Sequence, residues 1–410
     1  MRSEGVLVPE GNNLASLPVT KSLEKNKVRT AFLTNYGVYP AFFSRRFRKH
    51  FLAPSTSRQE IFARAVEKLV KRVKFDAIFP LSEWTLTPLS EDRKNIEPYV
   101  NLPIASQNAI QTCLDKDATL ELAKKNGVPV PKTINPKNTI ELKDSAEKIG
   151  YPCVVKPRWS VVWTKDCAYS RRAGFVNSPA EMIAAYEGIN RFFPHPLIQE
   201  YVPGVNYSVA ALYNHGSARA FCCIKVQRAW PRTGGNSCCR ESAPLDSRMK
   251  GYAERLLEDM DWHGIAEVEF RLDARDGTPR MMEINPRFWG SLSVAIGAGV
   301  DFPYLLYKVA ADGDCTAVSG YKVGVKGRYL EQELLYLTSL LKNSQSNTGS
   351  GGNLRMLANW LRLYEPDLFY DLFELDDPLP FFFDLVTYPL ALARFLKDKS
   401  CAWSPPHISF

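Results

Sequence analysis

A glutamate, an asparagine and an arginine stand at alternate positions, 283, 285 and 287, in the run Met282-Glu283-Ile284-Asn285-Pro286-Arg287. In an extended strand alternate side chains share a face. A carboxylate and an amide therefore offer oxygens to one point, with a guanidinium fork beside them. That combination suits a hard divalent cation carrying phosphate. Pro286 ends the ladder, and Gly290-Ser291 can open a helix whose N-terminus faces the same site. A second carboxylate comes from Gly264–Asp273, where Ala266, Val268, Phe270 and Leu272 alternate with Glu267, Glu269 and Arg271. The Asp276-Gly277 turn between the two runs predicts a hairpin. In one register Glu269 and Glu283 meet on one face; a one-residue slip sends one of them to the other. Two like charges at that distance are costly unless cations neutralise them. The alternative is a surface hairpin whose carboxylates pair with Arg271 or Arg280.

Several elements must position these groups. Residues 5–110 read as strands alternating with helices. Strands are expected at 6–8, 29–33 and 77–81, and helices at 14–25 and 58–71. This pattern predicts a parallel sheet, with a ligand near the carboxyl ends of its strands, for instance by Ser82-Glu83. Ser82 reads equally well as a helix cap. The basic run 44–50 reads as a solvated face. Residues 115–125 form a helix with an acidic start and a basic end, matching the macrodipole. Further helices are expected at 141–149, 178–190 and 252–260. Residues 151–157 make a buried strand with one cation, Lys156, and 197–202 make another, ended by Pro203-Gly204. Residues 206–214 and 217–227 are two strands joined at His215-Gly216. Residues 292–311 read as helical and apolar. A Ser/Gly/Asn linker at 342–353 precedes a tail rich in Leu, Phe and Pro, with a helix over 385–397. Packing of this tail against the main body is favoured over a place on a membrane surface.

The 410 residues suffice for two or three domains. A net charge of +8 suits an anionic ligand such as a nucleotide better than a long nucleic-acid track. The nine cysteines are odd in number and lack any CxxC spacing, which points to reduced thiols in a cytoplasmic protein. The first residues lack a signal-peptide core, and no stretch of about 18 apolar residues predicts a membrane span.

Four segments occur in an order that resembles the ATP-grasp superfamily, and in particular its carboxylate–amine ligase branch. They are Asp115-Lys116, Val154-Val155-Lys156-Pro157, the run from Gln199 to Gly204, and Glu269 followed by Met282 to Arg287. The resemblance covers residues 100–310 well, the first hundred loosely and the last hundred hardly at all. It implies an α/β fold, α+β in the ATP-binding part. An N-terminal α/β domain would occupy 1–110 and an ATP-grasp region 111–311, with a lid at about 150–204. A mostly helical C-terminal extension would follow at 312–410. By the same resemblance Lys116 and Lys156 contact ATP. Glu200, Tyr201 and Val202 form the hinge that reads adenine, and Asn206 stands where many relatives hold the ribose with an acid. Glu269, Glu283 and Asn285 match ligands of two Mg2+ (or Mn2+) ions. Arg287 matches the arginine that steadies an acyl phosphate or the incoming carboxylate.

The segment 225–242 carries Arg228, Arg232 and Arg240 around Gly234-Gly235-Asn236-Ser237. It reads either as an anion-cradling loop near the acceptor carboxylate or as a mobile surface loop. One departure stands out: the glycine-rich flap usual after the strand lysine is replaced by Arg158-Trp159-Ser160-Val161-Val162-Trp163, so Arg171 and Arg172 are candidates for its work. The implied activity is ADP-forming ligation of a small carboxylate to an amine through an acyl phosphate. A kinase, carboxylase or thiol ligase, or a nucleotide-binding regulator without turnover, are the alternatives. No nucleic-acid partner is expected, and the oligomeric state is left open.

Overall fold

Short apolar runs bounded by turn residues build a parallel sheet at the start of the chain. The computed structural model describes residues 3–11, 13, 15–34, 40–164, 168–171, 173–230, 235–342, 360 and 365–387. The first elements are β1 (Val6–Val8), α1 (Ser16–Lys25), β2 (Thr30–Thr34), β3 (His50–Leu52), α2 (Gln59–Val70) and β4 (Ala77–Ile78). The strands lie in the order β3-β2-β1-β4, all parallel, which requires crossovers such as α1 and α2. Next come α3 (Glu83–Glu91), α4 (Arg93–Ile96) and α5 (Gln107–Leu114). Ser82 is the N-cap of α3, its hydroxyl accepting from the Trp84 N–H. That hydroxyl also donates to the buried Glu10 carboxylate, as does Thr85.

The middle of the chain folds as α6 (Lys116–Lys125), β5 (Thr133–Ile134), α7 (Thr139–Ile149), β6 (Cys153–Lys156), β7 (Val161–Trp163), β8 (Ala168–Ser170), β9 (Gly174–Val176), α8 (Pro179–Asn190) and β10 (Leu197–Glu200). Asp115 caps α6, accepting from the backbone N–H groups of Asp117 and Ala118. The strands β5-β10-β6-β9 form an antiparallel sheet, while β7 and β8 pair separately as a ribbon.

The rest of the chain supplies β11 (Gly204–Asn214), β12 (Ser217–Trp230), β13 (Asn236–Ala243), α9 (Ser247–Asp259), β14 (Gly264–Asp273), β15 (Pro279–Asn285), α10 (Leu292–Gly297), α11 (Phe302–Asp312), β16 (Lys326–Arg328), α12 (Leu330–Lys342) and β17 (Leu368–Tyr370). Seven strands join in the order β15-β14-β11-β12-β13-β16-β17. One face packs Val209, Ala211, Val268 and Phe270 with α9 residues such as Leu256. The other packs Ala210, Leu212, Cys222 and Ile224 with Trp289, Val294 and Phe302. The helical stretch expected over 292–311 is two helices. Gly299, at φ +100°, takes the chain through a turn between them that side chains disfavour. The segment after residue 312 contributes α12 and also two strands to the large sheet. Among the described residues no helix is long and apolar enough to cross a membrane.

The expectation of a solvated basic face at 44–50 is corrected. Ser44 and Arg46 are buried. The Arg46 guanidinium reaches Asp377 at 2.8 Å, Asp376 at 2.9 Å, Glu374 at 3.0 Å and Glu24 at 3.1 Å. Phe43 stacks on Phe383, with ring centroids 4.4 Å apart. Residues 379–387 are helical. The tail thus lies on the first sheet's outer elements, held by a charge that sequence alone leaves without partners. Most of the expected linker, 343–353, and most of the expected helix, 388–397, fall outside the described residues.

Two predictions follow from these contacts. Removing one partner of a buried ion pair costs about 3–5 kcal/mol, whereas exposed pairs contribute about 0–1 kcal/mol. Denaturant unfolding should show Asp377→Ala destabilised by about 3 kcal/mol or more and Asp376→Ala by about 1 kcal/mol or less. The second concerns Asp384, which packs beside Glu331; burial and the Glu331 charge push its pKa up to about 8. An acid raised on folding stabilises fully below its unfolded value, near 3.9, and that contribution is lost as pH rises through the folded value. Melting temperature should therefore fall as pH climbs toward about 8 and level off above it. Asp384→Asn should flatten that slope; an unchanged slope would contradict the assignment.

Candidate functional site

The hairpin register places Glu269 opposite Glu283 and Glu267 opposite Asn285. A bulge between Glu269 and Phe270 skips Met282, which brings both carboxylates to one face. The Asn285 amide nitrogen donates to Glu267 Oε2 at 3.1 Å and to Glu269 Oε1 at 2.9 Å. Arg287 donates to Asn285 Oδ1 and to the Phe288 carbonyl, both at 3.0 Å. Lys116, at the first turn of α6, lies 3.7 Å from Glu283 Oε2 and donates to Ser160 Oγ at 2.6 Å. Lys156, at the end of β6, is buried. The surface alternative, with Arg280 on these carboxylates, does not occur: Arg280 pairs with Asp273 and Asp276.

Burial governs the charges here. It raises the Glu269 carboxyl well above the usual range, and repulsion from Glu283 and Glu267 adds to that. Glu267 is raised too, by burial, with Arg287, Ser208 and Asn285 opposing. For Glu283 burial also acts upward, but Lys116, Lys156 and Arg287 outweigh it, so this carboxyl stays below its ordinary value. Lys156 is pulled down to about 8 by burial, with Lys116 adding to the fall and Glu283 and Glu269 opposing it. Three carboxyls and an amide oxygen, all hard donors, fit a cation of the Mg2+ kind. Among the described residues no three His, Cys, Asp or Glu groups close up as a ready-made metal cage. A Mg2+ site that relies on one or two carboxylates plus ligand phosphates needs no such cage.

The other expected residues lie along the same ladder or near it. On β11, Ser208 stands opposite Glu269 and Asn206 opposite Arg271. The Arg271 guanidinium sits 4.8 Å from the Tyr201 ring centre and donates to its hydroxyl at 3.1 Å. Val202 is buried. The Glu200 carboxylate is pinned by the Lys132 backbone N–H at 2.9 Å and by Arg275 at 3.0 Å. Sequence reasoning left out four contributors. Glu267 carried a signal, since it alternates with Glu269. Ser160 and Arg158 carried none, because their partners Lys116 and Asp115 lie more than 40 positions away. Arg271 appeared only as a hairpin partner. Of the two candidate flap arginines, Arg172 falls outside the described residues.

The picture of an exposed loop over 225–242 is corrected. Its described parts are strands of the large sheet, and residues 231–234, with Arg232, lie outside the described residues. Arg228 pairs with the fully buried Glu333. Arg240, only 2% exposed, pairs with Asp371 and donates to the Ser237 and Gly290 carbonyls. Burying the Arg240 guanidinium and half-burying that of Arg228 demands such partners. Both arginines are tied to carboxylates from the segment after residue 312.

Residues 192–333 match the family described as "ATP-grasp in the biosynthetic pathway with Ter operon". A formate-dependent phosphoribosylglycinamide formyltransferase of Bacteroides fragilis is 32% identical over 234 residues, 54% of this chain and 56% of that protein. A D-alanine–D-alanine ligase of Stutzerimonas stutzeri is 23% identical over 211 residues, 48% of this chain and 65% of that one. The chain thus spans less than two thirds of the length of either relative. Among solved structures, the biotin carboxylase domain of a Hydrogenobacter thermophilus 2-oxoglutarate carboxylase, in complex with MgADP, ADP and bicarbonate, superposes with a TM-score of 0.63 at 16% identity. That match covers 80% of this chain and 74% of the other.

The crowding of Glu269 gives a direct prediction. Glu269→Gln removes a charge that burial and its neighbours disfavour, so in metal-free buffer at a pH high enough to ionise Glu269 the variant should melt at a higher temperature than the parent. Added Mg2+ should raise the melt of the parent and raise that of the variant less. A variant that melts lower in chelator would contradict the electrostatic account.

Proposed function

The chain belongs to the ATP-grasp superfamily, and from that premise we propose that it is a magnesium-dependent ligase joining a small carboxylate to an amine. The observation that carries this reading is the convergence of Glu269, Glu283, Asn285 and Arg287 with Lys116 on one half-buried face. A substrate carboxylate oxygen attacks the γ-phosphorus of ATP. The bond from that phosphorus to the bridging oxygen breaks, and ADP leaves with the electron pair. The amine lone pair then attacks the acyl carbon, the carbon–oxygen bond to phosphate breaks, and the nitrogen gives up a proton.

Glu269, Glu283 and Asn285 would hold Mg2+, which neutralises charge on the phosphates when bound. Lys116 and Lys156 clamp the polyphosphate as point charges. The segment Glu200 to Val202 meets adenine, and Asn206 hydrogen-bonds the ribose without adding charge. Arg287 offers its fork to the acyl phosphate or the incoming carboxylate. Arg240 acts at one remove, fixing the Gly290 carbonyl just beyond Arg287, and Arg228 anchors α12 through Glu333. We assign residues 1–110, 111–311 and 312–410 to three units, the last of which extends the sheet of the second. We place the protein in the cytoplasm, a reading supported by seven described cysteines that remain free thiols.

The test combines protein, MgATP and pools of small carboxylates with hydroxylamine as the amine, scoring phosphate release and hydroxamate formation. Glu283→Ala and Asn285→Ala should each lose roughly 100-fold or more in turnover, equivalent to several kcal/mol of transition-state stabilisation. Full activity in either variant, or phosphate retained on the acceptor, would sink the reading.

A further inference from the structure

Between α3, α5 and β7 runs an open groove of about 450 Å³, inside the range of small-molecule sites, about 300–1,000 Å³. It is not part of the carboxylate face, yet it begins next to it. Asp115 and Trp159 line the groove, and their chain neighbours Lys116 and Ser160 are hydrogen-bonded beside Glu283. Its wall is apolar and flat, built from Leu114, Trp159 and Trp163. Trp163 is fixed from behind: its indole N–H donates to the Thr56 carbonyl at 3.3 Å, and its ring meets Trp84 edge-on at 5.7 Å. These bulky residues stand where a glycine-rich flap would leave no such wall.

The polar groups of the groove carry one sign. Glu83 has no ion-pair or hydrogen-bond partner among the described residues. Asp115 is already matched by Arg158, through two bonds of 2.6 Å. Thr87 Oγ1 is buried with no partner. Among the described residues that line the groove there is no cation; the Arg158 guanidinium, 4.8 Å from the Trp159 ring centre, is the one bonded to Asp115. An anionic substrate is disfavoured there, and a cation with a flat body is favoured by charge complementarity and by aromatic faces.

We propose that this groove binds the amine substrate, as a primary ammonium carried on an aromatic or similarly flat apolar body. The ammonium pairs with Glu83 and the body lies on Trp159 and Trp163; to react, the nitrogen leaves Glu83, gives up its proton and reaches the acyl carbon from the end of the groove next to Lys116. The assignment rests on the ligase reading given above, because it identifies the ligand as that reaction's amine.

The test titrates the intact protein calorimetrically with phenethylamine and, separately, with phenylpropionate, which matches it in shape but carries a carboxylate. MgATP is titrated into the same samples. Phenethylamine should bind saturably and phenylpropionate should not bind in the groove. Glu83→Gln should weaken phenethylamine by about tenfold while leaving MgATP affinity unchanged, and Trp159→Ala should weaken phenethylamine by a similar factor. Equal binding of the acid and the amine, no binding of the amine, or full amine affinity in both variants would overturn the proposal. MgATP binding with no amine binding would defeat the groove alone. Amine binding in the groove with no MgATP binding would instead defeat the ligase reading and leave a groove for an ammonium ligand.

Discussion

Glu267, Glu269 and Glu283 share one half-buried face of a two-stranded ladder, and like charges so placed destabilise a fold unless cations answer them. Much around the site follows from that constraint. Lys116 arrives from the start of α6, Lys156 from the end of β6 and Arg287 from just beyond β15, three separate segments aimed at one patch. Asn285 spreads its amide across two carboxylates and holds Arg287 by its oxygen. Even so the answer is incomplete, because Glu269 stays raised well above a carboxylate's usual value. The ligand-free protein thus stores repulsion that a hard cation with its phosphates would relieve, a familiar exchange of stability for function.

A second set of charges organises the chain at larger scale. Arg46 gathers four carboxylates, three of them from residues 374–377. Arg240 holds Asp371, and Arg228 and Arg328 hold Glu333. The pairs of Arg46 with residues 374–377, of Arg240 with Asp371 and of Arg228 with Glu333 cross from an early or central element to the segment after residue 312, while Arg328 holds Glu333 from within it. The C-terminal part is therefore built into the large sheet and against the first one. Arg240 links that part to Gly290, so the placement of the tail and the geometry beyond Arg287 share a residue.

What the sequence made legible divides along the reach of the interaction. Alternation revealed β14, and the Asp276-Gly277 turn revealed the hairpin, because both signals are local. The meeting of Glu269 with Glu283 was conditional on register, and register depends on a bulge at Met282 that no local pattern announces. The basic run 44–50 was misread for the same kind of reason: three of the four carboxylates on Arg46 lie more than 300 positions away. The arginines of 225–242 looked available because Glu333 and Asp371 were out of view. The helical stretch expected over 292–311 is present as two helices, divided at Gly299, whose left-handed conformation permits the turn.

The central claim is that Glu269, Glu283 and Asn285 hold the divalent cations of a bound nucleotide. Anomalous scattering from Mn2+ in crystals grown with a non-hydrolysable ATP analogue tests it most directly. The account predicts Mn2+ peaks between the analogue's phosphates and the oxygens of Glu269, Glu283 and Asn285, with Lys116 and Lys156 on the phosphates. An ordered analogue whose metal lies away from the hairpin, with Asn285 still bridging Glu267 and Glu269, would contradict it.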